Sequence, residues 1–452
     1  MIEQLVNEFS SKCDYVDARV HELKKELIIL ENSETNNIFL NNKTYGVRAL
    51  YKGGWGFCYS NDFTDARSVF NKALRIAKLS STGKRVDFIS PVKTIDYKKI
   101  KYKIDPFNVE PVDKIKMLQG YEQLLTKDAK IKNTYLSIDC SREDRIVYAP
   151  GISIRQEFTN NFLRVNATAR EGDVIQSVYH RHSELGGYEC INKIRPSVIT
   201  KTLIERVNRQ LHAKAPKPGK AVVVCDPQMT GLFFHEAVGH ACEADAVINN
   251  SSVFKGKRGE LIGSEEINLF NDPTINERGF YWYDDEGVKA RETPLIVGGV
   301  LAGYLHSIKT ANELSENPTG NGRCMGAEYN PIPRMSNMIL KQGKWSPDEL
   351  ITEAKNGYLV KGFTGGVVDP ISGQFSFGAS ECFRIVNGQV TEPLRDVALG
   401  SSILDALKSI KVGNDYQRSN SGGTCGKDGQ GVRVGEACPS ILIKDVIIGG
   451  SA

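Results

Sequence analysis

The sequence predicts an α+β fold, with an N-terminal α+β region followed by a β-rich C-terminal domain. Three features predict it. Apolar and polar residues alternate with the period of half-buried strands between residues 15 and 59 and again between 134 and 179, with helical spacing between them. Residues 214–220, Lys-Ala-Pro-Lys-Pro-Gly-Lys, form a linker rich in proline and lysine. Beyond Asn250 lie most of the 42 glycines, among short strand-like segments.

The elements follow in order. Residues 2–9 have helical spacing. Tyr15-Val-Asp-Ala-Arg-Val alternates, and Leu27-Ile-Ile-Leu is an apolar run between glutamates. Gly46-Val-Arg-Ala-Leu-Tyr and Gly54-Trp-Gly-Phe-Cys-Tyr flank Lys52-Gly53 and read as a hairpin. Residues 64–78 form an amphipathic helix with Val69, Phe70, Leu74 and Ile76 as apolar residues, completing an α+β unit over 1–82. Residues 83–103 are polar and irregular, a linker or an edge. A second α+β segment of the same region spans 104–213, with helices at 111–127 and 195–213 and strands at 134–143, 145–149, 153–165 and 168–179. The C-terminal domain, 221–452, opens on the apolar strand Ala221-Val-Val-Val-Cys. Asp226 is a good N-cap and Pro227 suits a first helical position, so a helix is expected over 228–248. Strands at 295–303, 357–363, 374–379, 382–386 and 441–448 follow.

Composition bounds the function. The chain has 452 residues, 40% hydrophobic and 25% charged, with a formal charge of +4. That charge gives no reason to expect nucleic acid or an anionic membrane as partner. No stretch reaches the ~18 apolar residues of a membrane span. The first residues carry Glu3, Glu8, Asp14 and Asp17 and no apolar core, unlike a signal peptide, so a cytoplasmic address is expected. None of the ten cysteines forms a C-x-x-C pair, which argues against a disulfide framework and a zinc ribbon.

The string that carries chemistry is Phe233-Phe-His-Glu-Ala-Val-Gly-His240, an H-E-x-x-x-H motif. Two imidazoles can hold a metal, and a carboxylate beside them can take a proton from attacking water. His235 and His240 are therefore metal-ligand candidates, with Glu236 as general base. The spacing is one residue longer than in H-E-x-x-H. On an ideal helix, residues four apart lie ~40° from each other and residues five apart ~140°. Convergence needs a π-bulge or a break, and a distorted helix is expected near Gly239. Candidates for a third ligand are Cys242, Glu243 and Asp245 nearby, and Cys425 in a distant glycine-rich loop. Chemistry alone does not choose among them. His180 and His182 alternate on one strand face, read as exposed, and His21, His212 and His306 are isolated.

At this point the sequence resembles the TldD/PmbA family, once called modulators of DNA gyrase, and within it the TldD branch. The resemblance rests on Phe234-His-Glu-Ala-Val-Gly-His240, Asp284-Asp-Glu-Gly287, Gly320-Asn-Gly-Arg323 with Pro333-Arg334 and Asn337, and Gly423-Thr-Cys-Gly-Lys-Asp-Gly-Gln-Gly431. It implies a barrel-like C-terminal domain carrying the motif helix. It also implies a cytoplasmic zinc peptidase acting on unfolded or flexible polypeptide, with zinc on His235, His240 and Cys425 and with Glu236 catalytic. A closed chamber formed with a TldE-like paralogous subunit, or with a second copy, belongs to the same implication. Asp284, Asp285 and Glu286 read as a turn, and Arg323 and Arg334 as structural partners of such acids. The rival reading is a non-catalytic regulatory or binding subunit with a structural metal.

Overall fold

The alternation that begins at Tyr15 runs far beyond its apolar part. In the computed structural model, which describes residues 1–83 and 89–450, it forms a 17-residue strand, β1 (Tyr15–Glu31). This pairs along its whole length with β2 (Glu34–Tyr51). With β3 (Gly54–Ser60), β4 (Thr94–Lys99), β5 (Ile131–Ala149), β6 (Ile152–Glu171) and β7 (Val174–Leu185) they make one sheet in the order β3-β2-β1-β5-β6-β4, with β7 also on β6. The sheet joins the two N-terminal segments through the β1–β5 pairing. Part of the stretch 83–103 is thus an edge strand, β4, which lies parallel to β6.

The two faces of this sheet differ in chemistry because side chains alternate along each strand. Val16, Ala18 and Val20 share an apolar cluster with residues of the helices Ile2–Phe9 and Ala66–Leu79. Ile28, Leu30, Leu136, Ile138, Leu163 and Val165 share another with the helices Pro111–Leu125 and Pro196–Leu211. The opposite parity is charged and meets the C-terminal domain. Arg48 bridges Asp17 and Glu286, each at 2.6 Å, and Arg145 pairs with Asp285 at 2.8 Å. The backbone approach is close here: a Cβ on Gly46 would lie 1.9 Å from the Ala327 carbonyl oxygen.

In the C-terminal domain five strands close into a barrel. Gly219–Cys225 lies between Gly357–Asp369 and Ile441–Gly450, the latter pairs with Val397–Ser402, that with Gln374–Val386, and this last returns to Gly357–Asp369. The barrel-like expectation holds. A second sheet contains Leu269–Asn271, Asn337–Leu340 and Gln430–Cys438. Phe233, Phe234, Ala237 and Val238 of the motif segment share one apolar cluster with Phe375 and Phe377 of the barrel and Leu269 and Met338 of the sheet. Among the described residues no helix is long and apolar enough to cross a membrane.

Candidate metal centre

Asp226 caps the motif helix as expected, accepting a hydrogen bond from Met229 N at 2.9 Å. The single helix expected over 228–248 is not formed. An α-helical turn, Pro227–Phe233, passes into a π-helical segment, Phe234–Gly239, and a 3-10 turn, His240–Cys242. The chain then becomes extended at Glu243 before the short helix Ala244–Ile248. His240 N–H donates to the His235 carbonyl, a bond that spans the five-residue interval of the motif. The wider turn brings both imidazoles to one side, as the spacing required. Gly239 has a further reason to be glycine. Its backbone is ordinary helix, with φ −59°, but a Cβ would lie 1.9 Å from Met335 Sδ.

Cys425 comes from the other side of the domain. It lies on Gly423–Lys427, which pairs with Gln430–Cys438, and its carbonyl accepts a 2.6 Å hydrogen bond from buried Arg334. The ligand atoms of His235, His240 and Cys425 all fall within 4.8 Å of one another. Cys425 Sγ is 3.3 Å from His240 Nε2, and the two imidazole planes stand at 88°. His235 is 3% exposed and Cys425 5%. His235 Nδ1 is buried with no hydrogen-bond partner among the described residues. Two imidazoles and a thiol at this spacing could hold a soft or borderline metal such as zinc.

The thiol and the imidazoles stabilise one another's charged forms. Burial would raise the Cys425 thiol, but the imidazoles of His235 and His240 outweigh it and lower it to about 5. Burial likewise disfavours charge on His240, yet the Glu243 carboxylate and Cys425 raise its pKa to about 11. Glu236 follows His235 in the π segment and brings its carboxylate to 3.8 Å from His240 Nε2.

Of the other candidates for a third ligand, Cys242 is fully buried in the apolar core. Glu243 instead faces the second nitrogen of His240, at 2.9 Å from Nδ1, and also takes Lys427 at 3.0 Å. Lys427 pairs in turn with Asp245 at 2.7 Å. A carboxylate on the far nitrogen of a metal-ligating histidine fixes its tautomer and orientation. Glu243→Gln is therefore expected to weaken metal binding about 10- to 100-fold, measured by competition with a chromogenic chelator.

Two readings need correction. His180 and His182 are not on an open strand face. Both are half-buried and line, with His235, Glu236, His240 and Cys425, a cavity of about 470 Å³ between β7 and the C-terminal domain. Their alternation on β7 was visible, but the element covering that face was not. Arg323 and Arg334 bond chiefly to main-chain carbonyls rather than to the acidic triplet. Arg323 donates to Met335 and Arg433, and Arg334 to Cys425 and Gln430. The turn at Asp284 does form, its carboxylate accepting from Glu286 N and Val288 N, both at 2.9 Å.

A second cavity, of about 440 Å³, adjoins the first and shares Glu236 and His240 with it. Two strand edges border the pair. Among the described residues, Gly423–Lys427 pairs only with Gln430–Cys438, and the outer half of Gly357–Asp369, from Phe363 onward, pairs only with Gln374–Val386.

Comparison with known proteins defines the class first. Residues 218–450 match a family model described as the PmbA/TldA metallopeptidase C-terminal domain, and residues 16–77 match its domain 1. A metalloprotease from Methanocaldococcus jannaschii is 38% identical over 434 residues, 94% of either chain. A zinc metalloprotease TldD homolog from Saccharolobus solfataricus is 29% identical over 422 residues, 90% of either chain. Among solved structures, TldE from Thermococcus kodakarensis superposes with a TM-score of 0.79 at 20% identity over 99% of both chains, a likeness of fold. The class is that of the metallopeptidases. Within it, the chain belongs to the TldD/PmbA family.

Proposed function

We propose that the chain is a zinc-dependent peptidase that hydrolyses unfolded or flexible polypeptide, with the metal on His235, His240 and Cys425 and with Glu236 as general base. The observation that carries this reading is the convergence of those three donor atoms within 4.8 Å, beside a carboxylate that borders both cavities. Zinc bound by such a set acts as a Lewis acid toward the scissile carbonyl and the attacking water.

The chain's own residues supply the rest. Glu236 takes a proton from the attacking water as the new C–O bond forms. It delivers that proton to the amide nitrogen as the C–N bond breaks. The carbonyls of Cys425 and Phe363 are taken by Arg334 and Ser380, and the other outward main-chain groups of Gly423–Lys427 and of the outer half of Gly357–Asp369 would serve an extended substrate laid beside Glu236. Recognition through the backbone favours unfolded segments and is tolerant of sequence. A TldE-like subunit, or a second copy of this chain, would close the site, and the address would be cytoplasmic.

The test is digestion of a permanently unfolded polypeptide such as reduced, alkylated casein. Cleavage should stop after dialysis against a chelator and return when zinc is added back. Cleavage that survives full metal removal would sink the proposal.

A further inference from the structure

Behind the hairpin that carries Cys425 lies a separate cavity of about 200 Å³, between the N-terminal sheet and the C-terminal domain. The cross-strand pair Thr424 and Arg433 lines it, as does Val432, the partner of Cys425, and Thr424 also borders the cavity that holds His235, His240 and Cys425.

Arg278 reaches the cavity from beneath that hairpin. A Cβ on Gly422 would lie 2.6 Å from Arg278 Cδ, so the backbone rests on the arginine's aliphatic stem. The guanidinium stacks on Phe162 at 4.9 Å. Its Nε is buried with no hydrogen-bond partner, and the side chain forms no ion pair among the described residues. The acids that line the cavity are already engaged, and Glu436, whose charge also acts on Arg278, lies in the neighbouring cavity. Asp139 pairs with Lys25 at 2.6 Å, Asp285 with Arg145 at 2.8 Å, and Glu143 with Arg145 at 2.8 Å and Arg433 at 3.2 Å. Arg323, also at the cavity, spends donors on two main-chain carbonyls. One forked, half-buried cation is thus left without a paired counter-ion among the described residues. Burial and the neighbouring Arg433 hold Arg278 down to about 10.

We propose that Arg278 anchors a binding site for a small oxyanion, a carboxylate or a phosphate group, seated in this cavity. A guanidinium presents its donors in the geometry that planar carboxylates and phosphates accept in pairs. The aromatic platform under Arg278 fixes the plane of that fork. This inference does not rest on the peptidase reading, since none of His235, Glu236, His240 and Cys425 lines this cavity.

The test is calorimetric titration of the full chain with sodium phosphate and, separately, with sodium succinate, at constant ionic strength. Saturable one-site binding of at least one probe is expected, and the tighter probe identifies the group. Arg278→Gln should weaken it by about tenfold or more. Arg278→Lys keeps the stem under Gly422 and the charge but loses the fork, so binding should also weaken. Circular dichroism identifies which variants fold. No saturable binding of either probe by wild type, or unchanged affinity in a folded variant, would overturn the proposal.

Discussion

Replacing Cys425 by alanine is expected to remove stoichiometric zinc and, with it, peptide cleavage. The thiol is one of three donors whose atoms lie within 4.8 Å, and it is the one held lowest in pKa, at about 5, by the two imidazoles. Structural zinc sites bind with apparent free energies of roughly 10–16 kcal/mol. Losing one donor of three should therefore weaken the metal on the order of 10³-fold. The hairpin itself should survive. Its pairing with Gln430–Cys438 and the Arg334 bond to the residue-425 carbonyl involve only main-chain atoms of that residue. Plasma emission spectroscopy of the purified variant should find little zinc, while its circular dichroism stays native. Full zinc in Cys425→Ala would remove this residue from the centre and return the third ligand to an open question.

Glu236→Gln should behave in the opposite way, with metal retained and turnover lost. The amide is isosteric but cannot accept a proton from water. General-base removal costs typically about 10²- to 10⁴-fold, or roughly 3–5 kcal/mol of barrier. Because the role is in the transition state, the fall should appear in kcat, with KM little changed. Glu236 contributes no donor to the three-residue set, so zinc content should match wild type. A variant that lost metal along with activity would mean that Glu236 holds the ion instead.

Much of the centre was legible in sequence. The motif gives the two imidazoles and the carboxylate as residue types with known chemistry. The five-residue spacing also predicts its own remedy, because an ideal helix cannot bring His235 and His240 together, and the segment is π-helical there. Gly239 was legible as special, but the steric reason, Met335, comes from a strand-side residue 96 positions further on, which no local pattern encodes. Cys425 entered through resemblance to a family. Glu243 stood among the possible ligands, yet its bond to His240 Nδ1 depends on the chain turning extended at residue 243. Lys427 was silent in sequence because it reaches Glu243 across 184 residues.

The fold follows the same division. The barrel strand Gly219–Cys225 begins within the stretch taken as a linker, and its apolar part was legible because it is buried. The strands of the N-terminal sheet were read too short. The first ten residues of β2, 34–43, are exposed and polar or mixed in character, so alternation ends where the strand leaves the core although its pairing with β1 continues. Asp284, Asp285 and Glu286 show how one string can serve two purposes. Asp284 builds the turn, and the next two acids dock on arginines of the N-terminal sheet.

The most direct test of the central claim is mass spectrometry of an unfolded polypeptide incubated with wild type and with Glu236→Gln at equal, measured zinc content. Each is assayed alone and with a TldE-like chain from the same cell. The account predicts new peptide termini from wild type in at least one of those settings and almost none from the variant. Equal fragments from the two proteins, or no fragments from wild type even with the partner present, would contradict it.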